Sequence, residues 1–126
     1  MEGRDGRFLG VSRKYDYNSW GFAGGKCNVG ESPIQCAFRE LKEETGLSAI
    51  SLFCGDVRDY LNKTVEPNTL DEVHCFVVTS FSGSLHSEEY LIEHGEGMVK
   101  WVTVEELKAG AFGDYNVEIL KKLYDL

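Results

Sequence analysis

Proline is scarce: Pro33 and Pro67 are the only two in 126 residues, which excludes a polyproline arm or a proline-rich linker. No apolar run approaches the roughly 18 residues that a membrane-crossing helix requires, and the polar start, MEGRDGR, carries no secretory-signal pattern. Positive charge is also short. Thirteen Lys and Arg stand against 21 Asp and Glu, a net charge of −8, and no basic stripe gathers to track a nucleic-acid duplex. The four cysteines, Cys27, Cys36, Cys54 and Cys75, show no C-x-x-C spacing and no histidine at metal-ligand intervals, which argues against a zinc site. Four cysteines could form two disulfides, but a chain with a sufficient core does not need them. The expectation is therefore reduced, partly buried thiols in a cytoplasmic protein. At this length one domain over residues 1–126 can build its own core.

What the chain does have is concentrated in residues 25–47, GKCNVGESPIQCAFRELKEETGL. A Gly-rich turn leads into a helix. Ser32 is a good N-cap, Pro33 suits the first helical position, Gln35 completes a capping box, and Gly46 fits the position just past the end. Ile34, Ala37, Phe38 and Leu41 share one face by their spacing of three and four, and that face is expected to pack on a sheet. Glu40, Glu43 and Glu44 share another arc, flanked by Arg39. Like charges at this spacing repel, and carboxylates near a helix C-terminus oppose its dipole. A hard divalent cation with oxygen ligands reverses both effects. A solvated acidic helix face is the bland alternative.

The spacing extends the pattern. Five residues separate Gly25 from Glu31 and seven separate Glu31 from Arg39, followed by R-E-L-K-E-E-T-G-L. This resembles the Nudix box, G-x5-E-x7-R-E-U-x-E-E-x-G-U with U aliphatic, and Gly25, Glu31, Arg39, Glu40, Leu41, Glu43, Glu44, Gly46 and Leu47 fill every fixed position. The resemblance implies an α/β fold, the Nudix-type α/β/α sandwich with a mixed β-sheet between helices. It also implies hydrolysis of a nucleoside diphosphate linked to another group, supported by Mg²⁺ with Mn²⁺ as the alternative ion. By position, Glu43 and Glu44 are metal ligands, Glu40 is a ligand or the general base, and the Gly24 carbonyl is a further ligand. Arg39 orients a neighbouring carboxylate, and Glu31 anchors the loop by a salt bridge behind the ligands. Glu96, ahead of Glu93, is the further carboxylate expected before the Met98–Val102 strand.

Along the rest of the chain, FLGVSR (residues 8–13) reads as a strand, YDYNS (15–19) as a loop and WGFA (20–23) as a short strand. Ala23 stands where the family commonly has Pro. The family also has one more strand before the FLGVSR-like one, and only seven residues precede Phe8. A minimal version of the fold, a lost segment and a partner chain covering the gap all remain open, as do monomer and homodimer. Residues 49–57 read as a strand, 59–68 as a polar loop, and 71–81 as the best central strand, with His74 a strand residue rather than a ligand. Residues 88–96 form an acidic loop with room for one helical turn. Thr103 and Glu106 open a short helix by a capping box. Asp114 caps a last helix whose apolar stripe is Val117, Leu120, Leu123 and Tyr124.

Substrate choice lies outside the box. The family's ADP-ribose marker, a Pro about 15 residues after the box, is missing, because Pro67 is too far along. Its dinucleoside-polyphosphate marker, a Tyr a little further on, is missing too, because Tyr60 comes too early. The segment from Phe112 to Asn116 resembles the F-x-x-x-N before the last helix of MutT-like enzymes, where the Asn reads a purine edge. Phe22, Trp20 and Phe112 could sandwich a base, although aromatics in a small domain more often form core. Lys26 and Arg13 offer cations for a polyphosphate. The expected activity is MutT-like: a (deoxy)nucleoside triphosphate is cleaved to monophosphate and pyrophosphate. Alternatives are an ADP-ribose or nucleotide-sugar, dinucleotide or capped-RNA hydrolase, and, in another class, an inactive nucleotide-sensing module.

Overall fold

The computed structural model describes residue 3 and residues 5–62, 69–110 and 113–126, with side chains at 60–62 and 69–71 excepted. Tyr60 as a side chain, Pro67 and Phe112, weighed above as substrate markers, fall outside that description.

The chain runs β1 (Phe8–Arg13), β2 (Asp16–Gly21), α1 (Pro33–Thr45), β3 (Leu47–Asn62), β4 (Thr69–Gly83), α2 (Glu88–Glu93), β5 (Val99–Val102), α3 (Val104–Ala109) and α4 (Gly113–Tyr124). Three strands form a sheet in the order β2-β1-β5, and β3 pairs with β4 in a long hairpin. All pairings among the described residues are antiparallel, so the mixed sheet of the sequence reading takes an antiparallel form there.

Strand β1 explains the layering. Successive side chains of a strand point to opposite faces. Phe8 joins Trp20, Val102, Leu107 and Leu120 in a core roofed by α3 and α4. Its neighbour Leu9 joins Leu41 and Leu47 on the opposite side, with Ala49, Val78, Val99 and Trp101 against them. Helices α3 and α4 therefore lie on one face and α1 on the other, an α/β/α arrangement.

Several boundaries differ from the sequence reading. Strand β2 begins at Asp16, inside the expected loop, because β1 turns back tightly and Arg13 pairs with Asp16. Strands β3 and β4 are longer than their apolar runs, since ladder pairing continues out to Asn62 and Thr69 regardless of polarity. Strand β4 is not central: both edges of β1 are taken by β2 and β5, and β4 pairs with β3. On α1 the buried residues are Cys36, Leu41 and Thr45; Ile34 and Phe38 stay about two-fifths exposed, at 43% and 40%. The packed stripe is thus rotated from the expected one. On α4, Asn116, Ile119 and Leu120 are buried, while Val117 faces outward. Asp114 lies in the first turn of that helix and does not precede it.

The caps hold as read. Ser32 and Gln35 close a capping box at the start of α1, and Thr103 and Glu106 close one at the start of α3. Gly46 ends α1 at φ 87°, where its N–H bonds the Lys42 carbonyl. That left-handed conformation suits a residue without a Cβ. No helix of the described residues is long and apolar enough to cross a membrane.

Candidate active site: an arginine-centred carboxylate cluster

The site is assembled from the loop 22–32, the exposed side of α1, and the segment between α2 and β5. Arg39 is its hub. The guanidinium grips Glu31 with two parallel bonds, Nε to Oε2 at 2.8 Å and Nη2 to Oε1 at 2.9 Å. Nη1 donates to Glu40 Oε1 at 2.8 Å and to Glu43 Oε2 at 3.0 Å. Nη2 also donates to the Lys26 carbonyl at 3.1 Å. One planar fork thus ties the loop to the helix and aligns two of the three helix carboxylates, which a lysine's single ammonium cannot do. The fork, with the Asn28 amide, holds the Glu31 carboxyl down at about 2. Glu31 and then Glu40 raise the Arg39 pKa in return.

Glu44 is different. Burial pushes its carboxyl well above the usual carboxylate range, and a hydrogen bond to Glu40 adds to the shift. The like charges of Glu40 and Glu96 push the same way, while the Gly24 amide, donating to Oε1 at 3.0 Å, opposes them. Glu96 therefore stands within electrostatic reach of Glu44. Its placement follows from β1: Ser12 bonds Met98 twice, its amide to the Met98 carbonyl and its hydroxyl from the Met98 amide, both at 2.8 Å.

The loop glycines fit against these groups. A Cβ on Gly25 would lie 2.7 Å from Glu40 Cδ and 2.8 Å from both of its oxygens. Behind the loop, Cys27 and Cys36 are joined in a disulfide with Cα atoms 5.2 Å apart. This corrects the expectation of four reduced thiols. The capping box folds Cys36, in the first turns of α1, under the loop and brings the pair within bonding geometry. Cys54 and Cys75 are free.

The other candidates are scattered. Trp20 is 5% exposed and belongs to the core, with Lys100 Nζ 4.8 Å from its ring centroid. Phe22 is half-buried against that core. Asn116 is 1% exposed. Its Nδ2 donates to the Trp20 carbonyl at 2.9 Å and to the Leu107 carbonyl at 2.8 Å, and its buried Oδ1 has no partner among the described residues. Lys26 is exposed, as is Arg13. Arg13, with Lys14, Tyr15 and Asp16, lines an open cavity of about 510 Å³. Glu93 ends α2 and is exposed.

One participant escaped the sequence reading. His86 Nε2 lies 3.1 Å from the Lys42 carbonyl and 3.2 Å from that of Glu43, so its N–H satisfies the open end of α1. Its ring stacks on Tyr90 at 4.0 Å, and Tyr90 stacks on His94 at 3.9 Å. The four-residue spacing of 86, 90 and 94 was the available signal.

The donor set suits a hard divalent ion. Arg39 is shared among Glu31, Glu40 and Glu43, whereas Glu44 and Glu96 gather beside them, and burial with like-charge repulsion raises the Glu44 carboxyl. A divalent cation among carboxylate oxygens relieves such repulsion. A Gly-rich turn and a carboxylate-bearing helix thus bring together the oxygen donors that a divalent ion beside phosphates calls for.

The chain belongs to the NUDIX domain family, whose profile matches residues 1–123. It is similar to the 8-oxo-dGTP diphosphatase of Buchnera aphidicola subsp. Schizaphis graminum, 29% identical over 112 residues, 88% of this chain and 76% of that protein. It is 51% identical over 45 residues to the RNA pyrophosphohydrolase of Proteus mirabilis, spanning 36% of this chain and a quarter (25%) of that protein. In fold it resembles the MutT NUDIX hydrolase of Burkholderia pseudomallei, with a TM-score of 0.72 at 22% identity, covering 97% of this chain and 92% of the other.

Proposed function

We propose that residues 1–126 act as one Mg²⁺-dependent domain, with Mn²⁺ as the alternative ion, that hydrolyses a (deoxy)nucleoside triphosphate to its monophosphate and pyrophosphate. The observation that carries the reading is the convergence of Glu40, Glu44 and Glu96, with Arg39 holding Glu40 and Glu43. Similarity to a diphosphatase over most of the chain favours the triphosphate. The similarity to the RNA pyrophosphohydrolase of Proteus mirabilis covers only 36% of this chain and 25% of that protein, so it speaks for shared chemistry and not for a shared substrate.

Glu40, Glu43, Glu44, Glu96 and the Gly24 carbonyl are the oxygens that would hold a divalent ion, which would supply neutralisation of phosphate charge and a lowered pKa for an attacking water. Glu31 and Arg39 fix the carboxylates from behind. Glu40 is at once aligned by Arg39 and crowded by Gly25, which suits a group that must hold one orientation while it accepts a proton. Lys26 and Arg13 supply cations toward the polyphosphate.

For the base, Asn116 has both Nδ2 hydrogens committed to backbone carbonyls, so only Oδ1 is left to act. That acceptor has no partner among the described residues; a buried acceptor left so costs about 1–3 kcal/mol, and a purine N–H would satisfy it. In this reading Trp20 supports Asn116 through its carbonyl, and Phe22 offers the ring for stacking.

The test is product analysis by anion-exchange chromatography after incubation with Mg²⁺ and a panel of ordinary and oxidised (d)NTPs, ADP-ribose, NADH, dinucleoside polyphosphates and capped RNA. Monophosphate plus pyrophosphate from a purine triphosphate is the expected result, with loss of base preference in Asn116→Leu. Turnover confined to another panel member would discard the substrate assignment. No turnover with either ion would favour the nucleotide-sensing module.

A further inference from the structure

Cys27 and Cys36 sit inside the box, at positions the box leaves unspecified, and nothing in the hydrolytic reading needs them. We propose that this pair is a reversible thiol–disulfide exchange site, through which small-molecule thiols and disulfides set the stiffness of the metal-binding loop. The proposal rests on the assignment of Gly24 and Glu44 to the metal site.

The two sulfurs are placed asymmetrically. Cys27 is exposed, whereas Cys36 is 4% exposed. An incoming thiolate therefore reaches Cys27 Sγ. It forms a mixed disulfide there, and the Cys27–Cys36 bond breaks with its electron pair leaving on Cys36. Arg39 Nη2 lies 3.9 Å from that sulfur, and a guanidinium so close stabilises the departing thiolate. The Glu31 carboxylate, within 4.8 Å of both sulfurs, opposes it, so the departing thiolate depends on its direct contact with Arg39. A second thiol then resolves the mixed disulfide and frees Cys27. In sum, the protein disulfide and two thiols give the protein dithiol and one small disulfide. The reverse reaction consumes one small disulfide and restores the bond.

The bond matters because of what surrounds it. Cys27 follows Lys26, whose carbonyl is bonded to Arg39, and Gly25, whose backbone lies against Glu40. Gly24 is bonded to Glu44. The oxidised pair ties this short segment to the first turns of α1. Reduction leaves it held by hydrogen bonds that solvent can contest. Groups behind the ligands of a metal site cost on the order of tenfold in affinity when they are lost, and the reduced form is expected to need about that much more metal.

The experiment equilibrates the full chain in mixtures of reduced and oxidised dithiothreitol, traps free thiols by alkylation and maps them by peptide mass. Amide exchange at residues 24–31 and binding of Mn²⁺ are measured on the same samples. The expected result is a reversible Cys27–Cys36 pair, with faster exchange and about tenfold weaker Mn²⁺ binding on reduction. Cys27→Ser, at an exposed position, should show the reduced behaviour in every mixture. A pair that never forms, or forms and leaves both exchange and Mn²⁺ binding unchanged, overturns the proposal. If exchange and Mn²⁺ binding respond while no panel substrate turns over, the redox site stands and the hydrolytic reading falls.

Discussion

Gly25 and Glu40 occupy one another's space. The carboxylate of Glu40 stands where a side chain on residue 25 would begin, 2.7 Å from the position of a Cβ. The glycine that opens the box is there for the carboxylate fifteen residues later, and not for a turn conformation. Gly25→Ala makes the Glu40 carboxylate shift, and the expected consequence is loss of its hydrogen bond from Arg39. Steady-state kinetics should show kcat/KM reduced by about 10- to 100-fold, with circular dichroism unchanged. Wild-type kinetics in the variant would mean that Glu40 does not need its present orientation.

Glu44 gives a stability signature. Its folded pKa is raised, so above the ordinary value of 4.5 the folded protein binds more protons than the unfolded one. Stability of the metal-free protein must then fall as pH rises from about 4.5 toward the raised value. Glu44→Gln removes that slope. In chelator at pH 8 the variant should melt higher than wild type, by roughly 3–5 °C for each kcal/mol recovered, while turnover is abolished. A lower melting temperature in chelator would show that the carboxylate is stabilising without metal.

The Arg39 fork makes a prediction about geometry. Arg39→Lys keeps the charge and loses the planar donors that reach Glu31, Glu40, Glu43 and the Lys26 carbonyl together. Turnover should drop by about 100-fold in a protein that remains folded. Retention of most activity would reduce Arg39 to a point charge.

Away from the site, Asp56 joins β3 to α4. Its side chain is 1% exposed and contacts Arg58 at 2.5 Å and Lys122. Lys122 first and Arg58 second hold its carboxyl below the ordinary value of 3.8. The unfolded chain therefore takes up this proton first as pH falls, and the contribution of Asp56 is present above about pH 4 and lost below it. Asp56→Asn should cost about 2 kcal/mol at pH 7 and flatten the acid limb of a denaturation series. An unchanged acid limb would assign that limb to other carboxylates.

The box helix was legible in the sequence because its start and stop are local chemistry: Ser32, Pro33, Gln35 and Gly46 act within their own turns. The capping box from Thr103 to Glu106 was legible for the same reason. Strand limits were not, because ladder length depends on the partner strand, and Asp16, Asn62 and Thr69 pair despite their polarity. The buried stripe of α1 was misjudged because hydrophobicity suggested Ile34 and Phe38, while the direction of packing is set by Leu9 and Leu47. The raised pKa of Glu44 comes first from its burial and then from Glu40, with Glu96, more than fifty positions away, adding a smaller push. The Cys27–Cys36 pairing depends on how the loop folds back over the first turn of α1, which no spacing rule encodes.

The pairing of β1 with β5 has a consequence for how the protein is made. Phe8 meets Val102 across almost the whole chain, whereas Gly24 and Glu44 are only twenty residues apart. Closing the longer loop costs more entropy and waits on the non-local core. The turn and helix can therefore form early, as a fragment with most of the carboxylates already in place. Glu96 is delivered only when β5 docks on β1. A nascent chain on the ribosome carries the whole box long before Glu96 stands beside it, so the complete carboxylate cluster belongs to the finished fold.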